Sequence, residues 1–225
     1  MYELEAAMKG LLVKDFKILK LQKNTLFLFL FIALFLTAFS DDASFVICYF
    51  TFVSSLYSLS SISYDEFDNG NAFLFSLPIT RKNYVIEKYC FSFILSMSSC
   101  FFATILVIIT EMIRGTDSSI IDIIMIALIT IPIMLIVISI MLPFQLKFGG
   151  DKGRIAIICA VGIVFVVGIV ILKVAEFFSI DIASIINDLP VFSTGMIIVA
   201  ALIAVIVILM ISIRISISIV KKKEF

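Results

Sequence analysis

Long apolar runs broken by short polar stretches set the pattern of this chain. The runs cover residues 21–40, 43–63, 90–112, 123–144, 155–172 and 194–219. Each is close to the roughly 20 residues that an α-helix needs to cross about 30 Å of hydrocarbon. In lipid every backbone polar group needs an internal partner, which leaves helices and closed barrels. Barrel strands alternate apolar and polar residues, and these runs do not. The pattern therefore predicts an all-α integral membrane protein with six transmembrane helices, forming a single membrane domain over residues 1–225.

The polar stretches carry their own periodicities. In residues 1–24, Leu4, Met8, Leu11, Leu12, Phe16 and Leu19 recur at helical spacing, while Lys9, Lys14, Lys17, Lys20 and Lys23 supply a basic face. That combination predicts an amphipathic helix lying in the membrane interface against anionic headgroups. Asp41-Asp42 predicts a tight turn after the first span. The second span is rich in serine (Ser44, Ser54, Ser55, Ser58, Ser60, Ser61, Ser63), and Ser92, Ser96, Ser99 and Ala103 stripe the third. Small residues let helices approach closely, and serine hydroxyls can bond to their own helix carbonyls. With Tyr49, Phe52 and Tyr57 on the second span, a polar path for a substrate is the alternative to plain packing. Pro132 is expected to kink the fourth span and Pro143 to mark its inner end. Residues 174–186 are expected to form a short amphipathic helix on the outer surface.

The longest polar interruption between these runs is 64–89, YDEFDNGNAFLFSLPITRKNYVIEKY. Asn69-Gly70-Asn71 is a turn signal, residues 72–77 are apolar again, Pro78 breaks them, and Thr80 can cap a new helix starting at Arg81. A short helix is expected here between spans 2 and 3, with aromatic side chains rimmed by charges. Such a knob suits a groove on a partner: apolar anchors give affinity and charged neighbours give register.

Composition sharpens this picture. The chain is 62% hydrophobic with a mean hydropathy of +1.23, which leaves no room for a large soluble domain. The formal net charge is zero, but fifteen of the seventeen Lys and Arg residues fall in the lead, 64–89, 145–154 and the C-terminal tail; only Arg114 and Lys173 fall on the other side. The positive-inside rule then places both termini and 64–89 in the cytoplasm. No histidine is present, and the four cysteines lie in or beside apolar runs without paired spacing, so they read as packing residues. The basic lead argues for a first span kept as an anchor, without a cleaved signal. QLKFGGDKGR at 145–154 lacks the GxxxxGK[ST] spacing of a phosphate loop. No catalytic dyad or metal cluster lies within the spans; Glu111 and Asp122 lie near their ends.

MKGLLVKDFKIL at 8–19, YDE followed by SLPITRKNYVIEKY within 64–89, and PFQLKFGGDKGR at 143–154 resemble bacterial ABC-type exporter permeases of the second type (ABC-2), and within them the compact six-span subfamily that includes the phenol-soluble modulin exporters. The resemblance implies a permease of the bacterial plasma membrane whose 64–89 stretch is a coupling helix seated in a separate ATPase subunit. It also implies a second permease subunit, identical or related. ATP and Mg²⁺ would sit on the ATPase; this chain binds no cofactor and no nucleic acid, only membrane lipid and its protein partners. By the same resemblance Phe73, Leu77, Pro78, Arg81 and Tyr84 fall in the ATPase-contacting region, and Asp65 and Glu66 pair with Arg81 or Lys88 to brace it. The expected cargo is an amphipathic or hydrophobic substrate, a toxin or antimicrobial peptide above all. A drug, lipid or ion exporter, and a non-transporting peptide sensor or immunity protein, remain the alternatives.

Overall fold

A computed structural model describes residues 2–39, 42–67, 70–115, 119–150, 155, 173 and 194–223. The described residues form seven helices in chain order: α1 (Tyr2–Leu21), α2 (Lys23–Phe39), α3 (Ala43–Glu66), α4 (Gly70–Ser76), α5 (Arg81–Arg114), α6 (Ile120–Phe148) and α7 (Thr194–Lys222). Helices α3, α5, α6 and α7 are each long and apolar enough to cross a membrane. A fifth crossing is added if α1 and α2, bent by 71° across Gln22, count as one broken span. Apart from Ile155, the expected fifth span, 155–172, and the outer helix at 174–186 lie outside the described residues.

Helix ends follow their caps. Asp42, expected in a turn, caps α3: its carboxylate accepts from the backbone N–H of Ser44 at 2.9 Å and of Phe45 at 3.4 Å. Thr80 caps α5 as its position predicts, accepting from Asn83 N–H at 3.2 Å. Gly115, left-handed at φ 66°, closes that helix. Pro143 does not end α6 as expected; the helix runs on to Phe148, and Gly149 at φ 79° stops it. A proline frees the carbonyl four residues earlier, and here that carbonyl, on Ser139, accepts from the Ser212 hydroxyl of α7.

The described residues form two apolar clusters. One, toward α4, joins Leu11, Leu59, Leu74, Tyr84, Val85, Leu142 and Val220 from six helices. The other, at the opposite end, joins Val46, Ile47, Cys100, Ala103, Val107 and Ile123. Hydroxyls lie between them and bond within the protein: Thr51 to the Ile47 carbonyl at 2.7 Å, Ser58 to the Ser55 carbonyl at 2.6 Å and across to Ser92 Oγ at 2.8 Å. These serines pack α3 against α5.

Candidate functional site

Helix α4 is a seven-residue segment held against the ends of the long helices. Its entry is tight: a Cβ on Gly70 would fall 2.8 Å from the Asp65 carbonyl oxygen, so only glycine fits without a shift. The expected turn at 69–71 is therefore replaced, from Gly70 on, by the first turn of α4. Leu74 points into the core, and Phe75 meets Tyr84 edge to face at 5.4 Å. Arg81 places its guanidinium 5.8 Å from the Phe75 ring and donates to the carbonyls of Val220 (3.1 Å) and Lys221 (2.6 Å), which ties the knob to the C-terminal end of α7. Cations are favoured at that end of a helix. The outward face is apolar: Phe73 is 71% exposed, Leu77 43% and the preceding Phe67 73%. Pro78 follows in the turn that leads to Thr80.

Beneath the knob lies a buried ionic cluster. Lys88, 1% exposed, reaches Asp15 at 2.6 Å, Asp65 at 2.7 Å, Glu87 at 3.8 Å and Ser61 Oγ at 2.8 Å. Lys14 bonds to Asp65 and lies 3.2 Å from Asp15. The Tyr84 hydroxyl donates to Asp65 at 3.2 Å, and Ser61 donates to Asp15 at 3.0 Å. Three helices, α1, α3 and α5, are thereby cross-linked by charge. Charges removed from water persist only when paired and hydrogen-bonded in this way.

The expected site residues divide into two sets. Phe73, Leu77 and Pro78 are on the outer surface of the knob, and Arg81 fastens it. Asp65, Tyr84 and Lys88 are buried under it, in a position to hold it in place. Glu66 belongs to the same support: it accepts from Gly150 N–H at 2.8 Å and from Lys223 at 2.7 Å. Sequence reading passed over Asp15 and placed Lys14 on the headgroup-facing basic side of an interfacial helix. The available signal was Asp15 itself, the one acid between Lys9 and Lys23, at helical spacing from Leu11 and Leu19.

The residues proposed to line a path are placed less uniformly. Phe52 and Tyr57 border a cavity of about 800 Å³ between α2, α3 and α6. Tyr49 lies further along α3, stacked on Phe45 at 5.9 Å.

The family model described as ABC-2 family transporter protein matches residues 10–221. The chain belongs to this family. No curated protein and no solved structure matches it at a significant level. As an ABC-2 family member the chain is the multi-pass membrane component of an ABC transporter, and ATP hydrolysis lies in a separate subunit. Knob and cluster are thus features of an ABC-2 permease.

Proposed function

We propose that this permease works in the bacterial plasma membrane with both termini in the cytoplasm, and that α4 is the coupling helix gripped by the ATPase subunit. The carrying observation is the apolar outer face of α4, Phe73 and Leu77 exposed beside Phe67, mounted on a charge-locked base. Exposed apolar side chains on a cytoplasmic surface need a partner to cover them. Two permease chains, identical or related, enclose one path. ATP closes the ATPase dimer and moves the knobs, and the packed ends of α3 and α5 pass that motion to the path.

The substrate in this reading is an amphipathic or hydrophobic molecule, a toxin or antimicrobial peptide, taken from the cytoplasm or inner leaflet. The serine-, tyrosine- and phenylalanine-rich second span supports an amphipathic cargo over a sugar or metal ion.

Phe73→Ala combined with Leu77→Ala is expected to strip the ATPase from the purified complex while membrane insertion stays intact. Undiminished co-purification overturns the coupling role. Peptide accumulation in inverted vesicles on ATP addition is the expected transport result. Peptide binding without accumulation would assign the chain to sensing or immunity, and uptake of a drug, lipid or ion alone would remove the peptide.

A further inference from the structure

Helices α6 and α7 leave an open groove of about 870 Å³ between them. Ile140 and Phe144 of α6 and Ile208, Ile211 and Ile215 of α7 form its wall. The two serines along that wall spend their hydroxyls within the protein: Ser139 donates to the Leu135 carbonyl at 2.7 Å, and Ser212 donates to the Ser139 carbonyl. This stretch suits hydrocarbon and needs no polar group from an occupant.

The groove ends in cations. Lys147 borders it from α6, and Lys222 and Lys223 border it from the end of α7. Lys223 is paired with Glu66 at 2.7 Å. Lys147 and Lys222 are exposed and make no ion pair among the described residues; Lys147 lies 5.1 Å from the ring of its neighbour Phe148. No acid is among the described residues that line the groove. A lone lysine at a helix C-terminus is ordinary, because the helix dipole favours it there. Here unpaired cations from two helices border one apolar groove, which is therefore amphipathic along its length. Its depth fits as well. The run from Ile208 to Lys222 rises about 21 Å at 1.5 Å per residue, and one leaflet with its head groups is roughly 20–22 Å deep.

We infer that this groove holds an anionic phospholipid, with an acyl chain along the isoleucine wall and its phosphate beside Lys147 and Lys222. Basic pockets between membrane helices select anionic head groups by charge. A zwitterionic head carries its own cation and gains less from the two lysines. The bound head group bridges the ends of α6 and α7, next to the Lys221 carbonyl that Arg81 holds. That the leaflet is the cytoplasmic one rests on the orientation proposed above; the head-group preference does not.

The chain has no tryptophan, so Ile211→Trp, at an exposed wall position, places a single fluorophore in the groove. The full chain with its ATPase subunit is reconstituted in phosphatidylcholine vesicles holding a minor share of phosphatidylglycerol in both leaflets. One set carries brominated acyl chains on the phosphatidylglycerol, the other on the phosphatidylcholine, and bromine quenches a fluorophore that it touches. The complex without Ile211→Trp supplies the background. Phosphatidylglycerol is expected at the groove about tenfold above its share of the vesicle, the attraction of one to two lysines near a membrane surface. Lys147→Gln combined with Lys222→Gln is expected to bring the enrichment close to parity. Arginine at both positions is expected to retain it, and ATPase co-purification should be unchanged in each variant. Quenching in proportion to bulk composition overturns the inference, as does an enrichment that the glutamine pair leaves intact. Absence of quenching by either lipid also overturns it and assigns the groove to protein, either residues 155–172 or a second copy. The vesicles are symmetric and no ATP is added, so the result depends neither on the orientation of the chain nor on the coupling role of α4.

Discussion

At the scale of residues, the decisive group is Lys88. Its neighbours Asp65 and Glu87 were visible in the sequence as acids near a lysine. Asp15 was not, because no spacing rule connects α1 to a helix more than seventy positions away. Side chains that meet only through tertiary packing leave a weak trace in a single sequence, here one acid in a run of lysines. Lys88→Met would leave Asp15 and Asp65 without the buried one of the two cations they share, Lys14 being the other. Breaking a buried pair on one side costs about 3–5 kcal/mol, so the variant should melt well below wild type in detergent. Adding Asp15→Asn should cost less than the sum of the two single changes, because both act on one network. Strict additivity in the melts would show that the charges do not interact.

Helices were the more legible scale. Pro78 and Thr80 announced the start of α5 because a proline break and a threonine cap act locally on the backbone. The serine stripes of α3 and α5 announced close packing for the same reason. Pro143 misled, because the penalty of an internal proline is also local but its remedy is not. The freed Ser139 carbonyl is satisfied from α7, by a hydroxyl no window around residue 143 contains. Ser212→Ala should therefore destabilise the α6–α7 contact by about 1–3 kcal/mol, the cost of stranding a buried polar group. Ser212 also lies 2.5 Å from the Tyr89 hydroxyl, so α5 is affected too. Thermal melting of the variant checks this, and an unchanged midpoint would deny the bond its role.

For the whole molecule, hydropathy runs gave the class and the motif pattern gave the family. The association of α1 with the base of the α4 knob required the structure. Amphipathic periodicity reads the same for a helix floating on headgroups and for one docked on its own protein. Since α1 is bonded through Asp15 and Lys14 to the base of the knob, it is expected to take part in transmission. Asp15→Asn should keep the ATPase bound, because Phe73 and Leu77 are untouched, while ATP-driven uptake per assembled complex falls. A loss of about threefold to thirtyfold corresponds to the coupling energies that single packed residues carry. Uptake equal to wild type would leave α1 a passive anchor.

Helix α5 is continuous for 34 residues, which at 1.5 Å per residue is about 51 Å. That exceeds the roughly 30 Å of a bilayer's hydrocarbon. One tip carries Arg81 beneath the knob; the other carries Arg114, fastened to the carbonyls of Thr37 (2.9 Å) and Ala38 (2.5 Å) on α2. A stiff rod pivoting on its small-residue midsection must swing its two tips in opposite directions. On the proposed coupling role, a push at Arg81 would reach Arg114 in the opposite sense and act there on the far end of α2.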